Sequence, residues 1–426
     1  MTVIETHRAI DAVWRIESAR VIAGLARLVR DVGRAEELAQ DALVAALEQW
    51  PESGVPKNPG AWLMATAKHR AIDHIRREQV LARKVQELGH EIETGGATPQ
   101  PDIDAALDDD IGDDVLRLVF TACHPVLSTE ARVALTLRML GGLSTKEIAR
   151  AFLSTESTIQ QRIVRAKKTL ADAKVPFEVP AADERAARLS SVLEVIYLIF
   201  NEGYSATAGD DWMRPTLCEE ALRLGRVLTG LTPNEPEVHG LVSLMEIQAS
   251  RSRARTDAQG EPVLLLEQNR SKWDQVLIRR GLAALVRAEE LSDAYGPYAL
   301  QAAIAACHAR AHTAEDTDWA QIAALYAALA EMTGSPIVEL NRAVALSMAY
   351  GPEAGLELVD TIVDEPTLKA YHLLPSVRGD FLAKLGRFED AQREFERAAT
   401  LTNNVREQNL LRERASACAR GEAPAR

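Results

Sequence analysis

The stretch LSTKEIARAFLSTESTIQQRIVRAKK, residues 143–168, predicts two helices joined by a short turn. Ser144 is a favourable N-cap residue, and Glu147 three positions later completes a capping box that starts the first helix. We expect the turn around residues 153–155 and the second helix from about Glu156 to Leu170. In that second helix, apolar residues recur at intervals of four, three and four, which places them on one buried stripe. These residues are Ile159, Ile163, Ala166 and Leu170.

The opposite face of this second helix is polar at its start and basic further along. Amides and guanidinium groups near the start of such a helix can bond to base edges in the major groove, while later Arg and Lys side chains reach phosphates. A charged amphipathic helix on the surface of a helical bundle is the alternative interpretation. The candidate residues for DNA contact are Ser157, Thr158, Gln160, Gln161, Arg162, Arg165 and Lys168.

A second basic segment lies upstream, in the sequence NPGAWLMATAKHRAIDHIRRE of residues 58–78. Opening a DNA duplex requires cations that hold phosphates and nearby aromatic or polar groups that stabilise unstacked bases. Trp50 and Trp62 are possible stacking surfaces, but a tryptophan at helical spacing is more often part of a core. The candidate residues of this segment are Lys57, Asn58, Trp62, Lys68, His69, Arg70, Arg76 and Arg77.

The helix before this segment, expected from Glu36 to Trp50, begins with polar and acidic residues. Proline and glycine between residues 51 and 60 predict a loop after it. The acidic start forms an exposed face that the helix dipole alone would explain. Its residues are Glu36, Glu37, Gln40 and Asp41.

The net charge of −13 is unevenly distributed along the chain. Residues 1–90 carry 13 basic and 12 acidic side chains, and residues 91–114 carry 9 acidic side chains and no basic one. Residues 115–175 carry 10 basic and 4 acidic side chains, whereas residues 176–426 carry 26 basic and 37 acidic side chains. Because charges act over about 8–10 Å at cellular salt, a basic segment can bind DNA within an acidic protein.

Length and composition predict an all-α protein with several domains. A chain of 426 residues exceeds one ordinary core, and its low aromatic content with abundant Ala, Leu, Glu and Arg favours helices. We expect a helical domain over 8–88, an acidic linker over 89–114 and a helix-turn-helix domain over 115–175. A large helical domain follows over 188–426.

The C-terminal part contains a repeat signal. Small and aromatic residues from Gly379 to Ala398 follow the spacing of tetratricopeptide helix pairs, although Pro375 falls inside the expected first helix. One such unit cannot bury its own faces, so several helix pairs must stack. We therefore expect a tetratricopeptide-like array that offers a surface to a partner or to the rest of the chain.

Several functional classes find no support in the sequence. The four cysteines are scattered without metal-ligand or redox spacing, so we expect no metal site and a reducing environment. No phosphate loop, catalytic triad or ligand cluster indicates an enzyme or a cofactor. The N-terminus carries no secretion signal, and no apolar run is long enough to cross a bilayer. We expect a soluble, cytoplasmic protein that is not an enzyme and has no membrane partner.

The two basic segments, in this order and with the acidic linker between them, resemble the two DNA-binding modules of the extracytoplasmic-function sigma factors of the sigma-70 family. The segment around residues 58–78 resembles the promoter-melting helix of region 2, and residues 143–168 resemble the helix-turn-helix of region 4. The sequence departs from the family at His69, where Asn is common, and at Leu153, where Gly is usual. Residues 188–426 resemble the long C-terminal extension of one subgroup.

The resemblance implies that the chain binds core RNA polymerase and promoter DNA and directs transcription initiation. It also implies that Glu36, Glu37, Gln40 and Asp41 face the clamp helices of the polymerase, and that the C-terminal extension modulates activity. The alternative is a helical-repeat adaptor that uses its helix-turn-helix as a DNA anchor without contacting the polymerase. An adaptor would have no need of a melting helix, so the N-terminal segment discriminates between the two.

Overall fold

The computed structural model describes residues 3–89, 111–152, 154–204, 214–257, 263–402 and 405–424. Within these ranges the regular structure is helical and contains no β-strand, which confirms the all-α prediction. Most of the expected linker and Leu153 lie outside the described residues. The chain forms two compact units, Met1–Pro233 and Asn234–Arg426. In the described ranges, no helix combines the length and the apolar character that a membrane span requires.

The first unit consists of helices that pack mainly on their neighbours in the sequence. The first three helices pack together, the fourth also packs on the first, and the eighth and ninth form a pair. The helices are α1 Val3–Val29, α2 Val32–Ser53, α3 Pro59–Gly89, α4 Ile111–Ala122, α5 Thr129–Met139, α6 Thr145–Ala151, α7 Glu156–Asp172, α8 Ala182–Tyr204 and α9 Pro215–Leu231.

Helix α2 is longer at both ends than the sequence predicts. The Asp31 carboxylate accepts a hydrogen bond from the Arg34 backbone N–H and caps the helix four residues earlier than expected. Pro51, expected to end the helix, lies in its last turn, where the missing N–H removes only one hydrogen bond. Gly54, with a φ of 82°, follows the final residue and terminates the helix.

Helices α6 and α7 form the predicted helix-turn-helix. The Ser144 hydroxyl accepts from the Glu147 backbone N–H while the Glu147 carboxylate accepts from the Ser144 backbone N–H, so the capping box is confirmed. Thr155 caps α7 through the Thr158 backbone N–H. The predicted apolar stripe of α7 is buried, as the sequence indicated. It consists of Ile159, Ile163, Ala166 and Leu170.

The capping box stabilises the ionised form of the Glu147 side chain. Burial by itself raises the pKa of Glu147, but hydrogen bonds from Ser144 and the nearby Arg15 guanidinium outweigh it and lower the pKa below the usual 4.5. A carboxyl group whose pKa is lowered by folding stabilises the fold above its unfolded pKa. This contribution is therefore lost as the pH falls below about 4.5 through the folded pKa.

Replacing Ser144 with alanine is expected to cost about 0.5–2 kcal/mol of local stability, because it removes the oxygen that accepts from the first turn of α6. Hydrogen exchange of the α6 and α7 amides in the intact chain measures this loss. The control is Lys146→Ala, which alters an exposed side chain in the same turn without touching the cap. Equal protection in both variants would show that the capping box does not stabilise this motif.

The second unit stacks helices in chain order, each packed on the next. The described residues of this unit form helices, as we expected for the C-terminal part of the chain. Short 3-10 segments occur in the connections after the first helix and before the seventh. The helices are α10 Pro236–Ser250, α11 Gln275–Leu291, α12 Pro297–Arg310, α13 Trp319–Thr333, α14 Pro336–Tyr350, α15 Pro352–Ile362, α16 Leu373–Lys384, α17 Phe388–Leu401 and α18 Val405–Ala419.

The repeat signal corresponds to the pair formed by α16 and α17. A Cβ added to Gly379 would lie 3.1 Å from the ring of Phe395, so the small residue allows the two helices to approach closely. Phe395 is fully buried in the core of this unit. Pro375 is the third residue of α16, where a helix has no intrahelical partner for an N–H, so it is compatible with the repeat.

Candidate nucleic-acid interface

The candidate residues for DNA melting lie on α3 and just before its first residue. The Asn58 side chain accepts a hydrogen bond from the Ala61 backbone N–H at 3.1 Å and so caps the helix, while Lys57 beside it is exposed. Asn58 therefore has a structural role at the position predicted to contact bases. Further along, His69, Arg76 and Arg77 are exposed, and Lys68 and Arg70 are half-buried.

The two tryptophans near this end of α3 have different environments. Trp50 is only 1% exposed and belongs to the core, as the more common reading of a helical tryptophan predicts. Trp62 is half-buried, and its ring packs edge-on against Trp50 with 5.3 Å between the ring centroids. Of the two, Trp62 retains surface on which a base can stack.

Arg70 connects α3 to α2. Its guanidinium lies 3.7 Å from the Asp41 carboxylate, and the two side chains are 40% and 60% exposed, so the pair contributes little to stability. The same ion pair places a residue predicted for DNA next to one predicted for the polymerase. DNA phosphate and Asp41 would compete for this guanidinium.

Helix α7 presents its predicted DNA-binding face to solvent. Because its apolar stripe is buried against the rest of the module, the opposite side is left open. The polar residues come first along the helix and the basic ones follow, as an orientation into the major groove requires. The exposed members are Ser157, Thr158, Gln160, Gln161, Arg165 and Lys168.

Arg162 is the exception on this face. It is half-buried and lines a mainly apolar groove between the helix-turn-helix and α8, together with Glu130 and Glu202. The pKa of Glu130 is lowered chiefly by its hydrogen bonds to backbone and to Ser128, and the charge of Arg162 adds to this effect. Arg162 thus has carboxylate neighbours, whereas Arg165 one turn later points away from the core.

The polar start of α2 divides into an exposed part and a buried residue. Glu37 and Asp41 are exposed, and Gln40 is half-buried. Glu36 is only 4% exposed, which corrects the exposed acidic face predicted for all four residues. The reason is tertiary: its carboxylate accepts from the Arg138 side chain of α5 at 2.9 Å and from the Lys167 side chain of α7.

Other ion pairs join the same two modules. Arg15 of α1 bonds to Glu147 of the capping box at 2.5 Å. Asp114 is 2% exposed and lies 2.6 Å from Arg117 and 3.4 Å from Arg27 of α1. Asp114 belongs to the acidic run assigned to the linker, yet it is a buried residue of α4. The region 2-like and region 4-like modules are therefore packed together through charged contacts in this arrangement.

Helices α8 and α9 complete the helix-turn-helix module, a role that the sequence did not reveal. Arg132 of α5 bonds to Ser191 and Glu194 of α8, and Arg223 of α9 donates to the Leu140 carbonyl. Arg214, just before α9, donates to the carbonyl of Ala151 at the end of α6. These contacts join residues 59 to 83 positions apart, so no local sequence pattern predicts them.

Family models match three parts of the chain. Residues 15–80 match sigma-70 region 2, and residues 117–170 match sigma-70 region 4. Residues 188–289 match a family of unknown function, DUF6596, which covers α8 and α9 and the start of the second unit. No solved structure matches the chain.

Relatives support the same modules. The chain is 42% identical to an uncharacterized protein of Rhizobium meliloti (strain 1021) over 92% of each sequence. It is 31% identical to the ECF RNA polymerase sigma factor SigK of Mycobacterium bovis, over 36% of this chain and 78% of SigK. The probable ECF RNA polymerase sigma factor SigI of Mycobacterium tuberculosis is 25% identical over 42% of this chain and 60% of SigI. With both conserved regions matched in order, the chain belongs to the extracytoplasmic-function sigma factors, with a longer C-terminal extension.

Proposed function

We propose that this sigma factor binds core RNA polymerase, directs initiation at specific promoters, and is modulated by its C-terminal helical extension. The observation that carries the proposal is the surface of the first unit. Helix α7 buries its apolar stripe and exposes a polar-then-basic face, and α3 exposes a second basic face in the same unit. An adaptor that only anchors itself to DNA would have no use for the second face.

In this proposal, α7 reads the upstream promoter element. Gln160 and Gln161 are exposed in the first half of the helix and can bond to base edges. Arg165 reads a base or holds a phosphate, and Lys168 reaches a phosphate. Helix α3 holds the melted strand. Arg76 and Arg77 in its middle supply cations, and Trp62 in its first turn supplies a stacking surface.

The polymerase contact involves α2. Glu37 and Asp41 are exposed and available to a partner, whereas Glu36 is covered by α5 and α7. For Glu36 to contact the polymerase, the two modules must separate. The arrangement described here is then a closed form, and the polymerase selects an open form by binding the uncovered face.

The extension acts through α8 and α9. These helices bond directly to the helix-turn-helix module at Arg132 and Ala151, and the chain continues from Leu231 into α10 after a short connection. In this proposal, the chain connection between α9 and α10 carries the influence of the second unit to the helix-turn-helix module.

Transcription in vitro with core polymerase tests the function and its modulation together. We expect the intact chain to support initiation at its promoter, and a chain ending at Pro233 to initiate at a rate that differs several-fold, because the second unit no longer biases α8 and α9. If the intact chain neither binds core polymerase nor supports initiation while it still binds DNA, it is an adaptor. Equal rates for the two chains would remove the modulating role of the extension.

The position of the truncation matters for the control. A chain that ends near residue 180 lacks α8, so the Cys123 carbonyl loses the hydrogen bond from Ser191 and Arg132 loses Glu194. Its defect would reflect an incomplete module rather than a missing regulator. Circular dichroism melting of both truncated chains separates these causes, since only the cut after Pro233 leaves the first unit whole.

A further inference from the structure

A groove in the second unit is unrelated to the DNA-binding faces. It lies among α10, α12, α13 and α14 and has a cavity volume of about 370 Å³, which is at the lower end of the size range of small-molecule sites. Leu244, Ile304, Leu329 and Val338 form apolar parts of its wall. The groove thus combines an apolar lining with polar side chains.

The charge of this lining is opposite to that of the unit. Residues 234–426 carry 28 acidic and 21 basic side chains, yet among the residues that the structure describes the groove is lined by Arg251 and by no Asp or Glu. Amide side chains of Gln248, Gln301 and Asn341 complete its polar part. Donors without carboxylates in an otherwise acidic unit favour a negatively charged occupant.

His308 marks the polar part of the groove. It is 8% exposed, its ring packs edge-on against Trp319, and its buried Nδ1 has no hydrogen-bond partner. A buried polar atom without a partner destabilises the fold, and a bound ligand that bonds to it would recover this cost. Burial, then the charges of Arg251 and Arg270, lowers the pKa of His308 to about 4, so the ring is neutral near pH 7.

Two guanidinium groups lie close to this histidine. Arg251 and Arg270 lie over the ring of Trp273, at 5.8 and 4.9 Å from its centroid. Arg270 is used structurally, since it donates to the carbonyls of His308 and Ala311. Arg251 also lines the groove itself.

We propose that this groove binds a small organic anion, with its carboxylate or phosphate group beside Arg251 and His308 and its apolar body against Ile304, Leu329 and Val338. The anion bonds to Arg251 and supplies a partner for the imidazole. The apolar wall requires a hydrocarbon or aromatic body, so an inorganic ion alone would leave most of the groove unfilled. This site goes beyond transcription initiation and does not depend on it.

Fluorescence titration of the intact chain with the anionic dye 8-anilinonaphthalene-1-sulfonate, followed by displacement, tests the proposal. Octanoate and phenyl phosphate are the competing anions, and octanamide and phenol are their uncharged counterparts. We expect the anions to displace the dye and the uncharged compounds to leave it bound at equal concentration. If octanoate displaces the dye at lower concentration than phenyl phosphate, the ligand is a carboxylate; the reverse order indicates a phosphate. Equal displacement by octanoate and octanamide would overturn the proposal.

Two variants locate the site. Arg251→Gln should weaken dye binding about tenfold or more, because a charge-assisted bond is lost. Arg253→Gln is the matched control, since Arg253 is exposed two residues away and does not line the groove. Gln248→Glu keeps the size of the side chain, adds a negative charge inside the groove and should also weaken binding. If Arg251→Gln and Gln248→Glu both bind the dye as the unmodified chain does, the anion site is elsewhere and the proposal fails.

Discussion

Replacing Glu36 with alanine is expected to lower the stability of the contact between the two DNA-binding modules by about 3 kcal/mol. The carboxylate is 4% exposed and serves both Arg138 and Lys167, whose side chains are 18% and 17% exposed. Its removal leaves two poorly solvated cations close together without a counter-charge. Hydrogen exchange of the α2, α5 and α7 amides in the intact chain measures the loss of protection.

Glu37→Ala is the matched control, because Glu37 is the next residue, is exposed and pairs only locally with Arg34. Its cost should stay below about 1 kcal/mol. The double variant Arg138→Met with Lys167→Met breaks the ion pairs between the modules but keeps the Glu36 carboxylate. It therefore distinguishes separation of the modules from loss of a Glu36 contact with the polymerase. We expect tighter core polymerase binding by this double variant. Similar protection in the Glu36→Ala and Glu37→Ala chains would refute the closed form.

The second large effect concerns the exposed face of α7. Replacing Arg165 with alanine should weaken promoter binding by about 1–3 kcal/mol if the guanidinium reads a base, and the loss should then depend on sequence. Lys168→Ala should instead weaken binding to all sequences and reduce the dependence on salt by about one unit of slope, because it removes one phosphate contact. Fluorescence anisotropy with promoter and scrambled duplexes at several salt concentrations measures both quantities.

Two comparisons make this test specific. Arg226→Ala removes an exposed positive charge from α9, outside α7, and should leave promoter affinity nearly unchanged. Arg162→Ala should have a smaller effect than Arg165→Ala, because Arg162 is half-buried beside Glu130 and Glu202. If Arg165→Ala and Lys168→Ala both bind the promoter normally, the reading surface is not on α7.

Local patterns were sufficient for the helix-turn-helix. The stripe from Ile159 to Leu170 and the cap formed by Ser144 and Glu147 depend on spacing within one or two turns, so the sequence predicts them directly. The exposed face of α7 follows from the same periodicity, because a helix that buries one side must expose the other. The role of each exposed residue in DNA binding stays a prediction.

Contacts between distant segments were decided only by the tertiary structure. Glu36 has the same sequence pattern as an exposed acidic helix start, and its burial comes from Arg138 and Lys167, 102 and 131 residues away. His308 of α12 and Arg251, the residue after α10, likewise line one groove only because α10 and α12 pack together. Periodicity reports which side of a helix is buried, but it carries no information about which charged partner is brought there. The sequence by itself therefore determined the helices, their order and the family of this sigma factor. Packing decided which charges are covered and where a groove is left open.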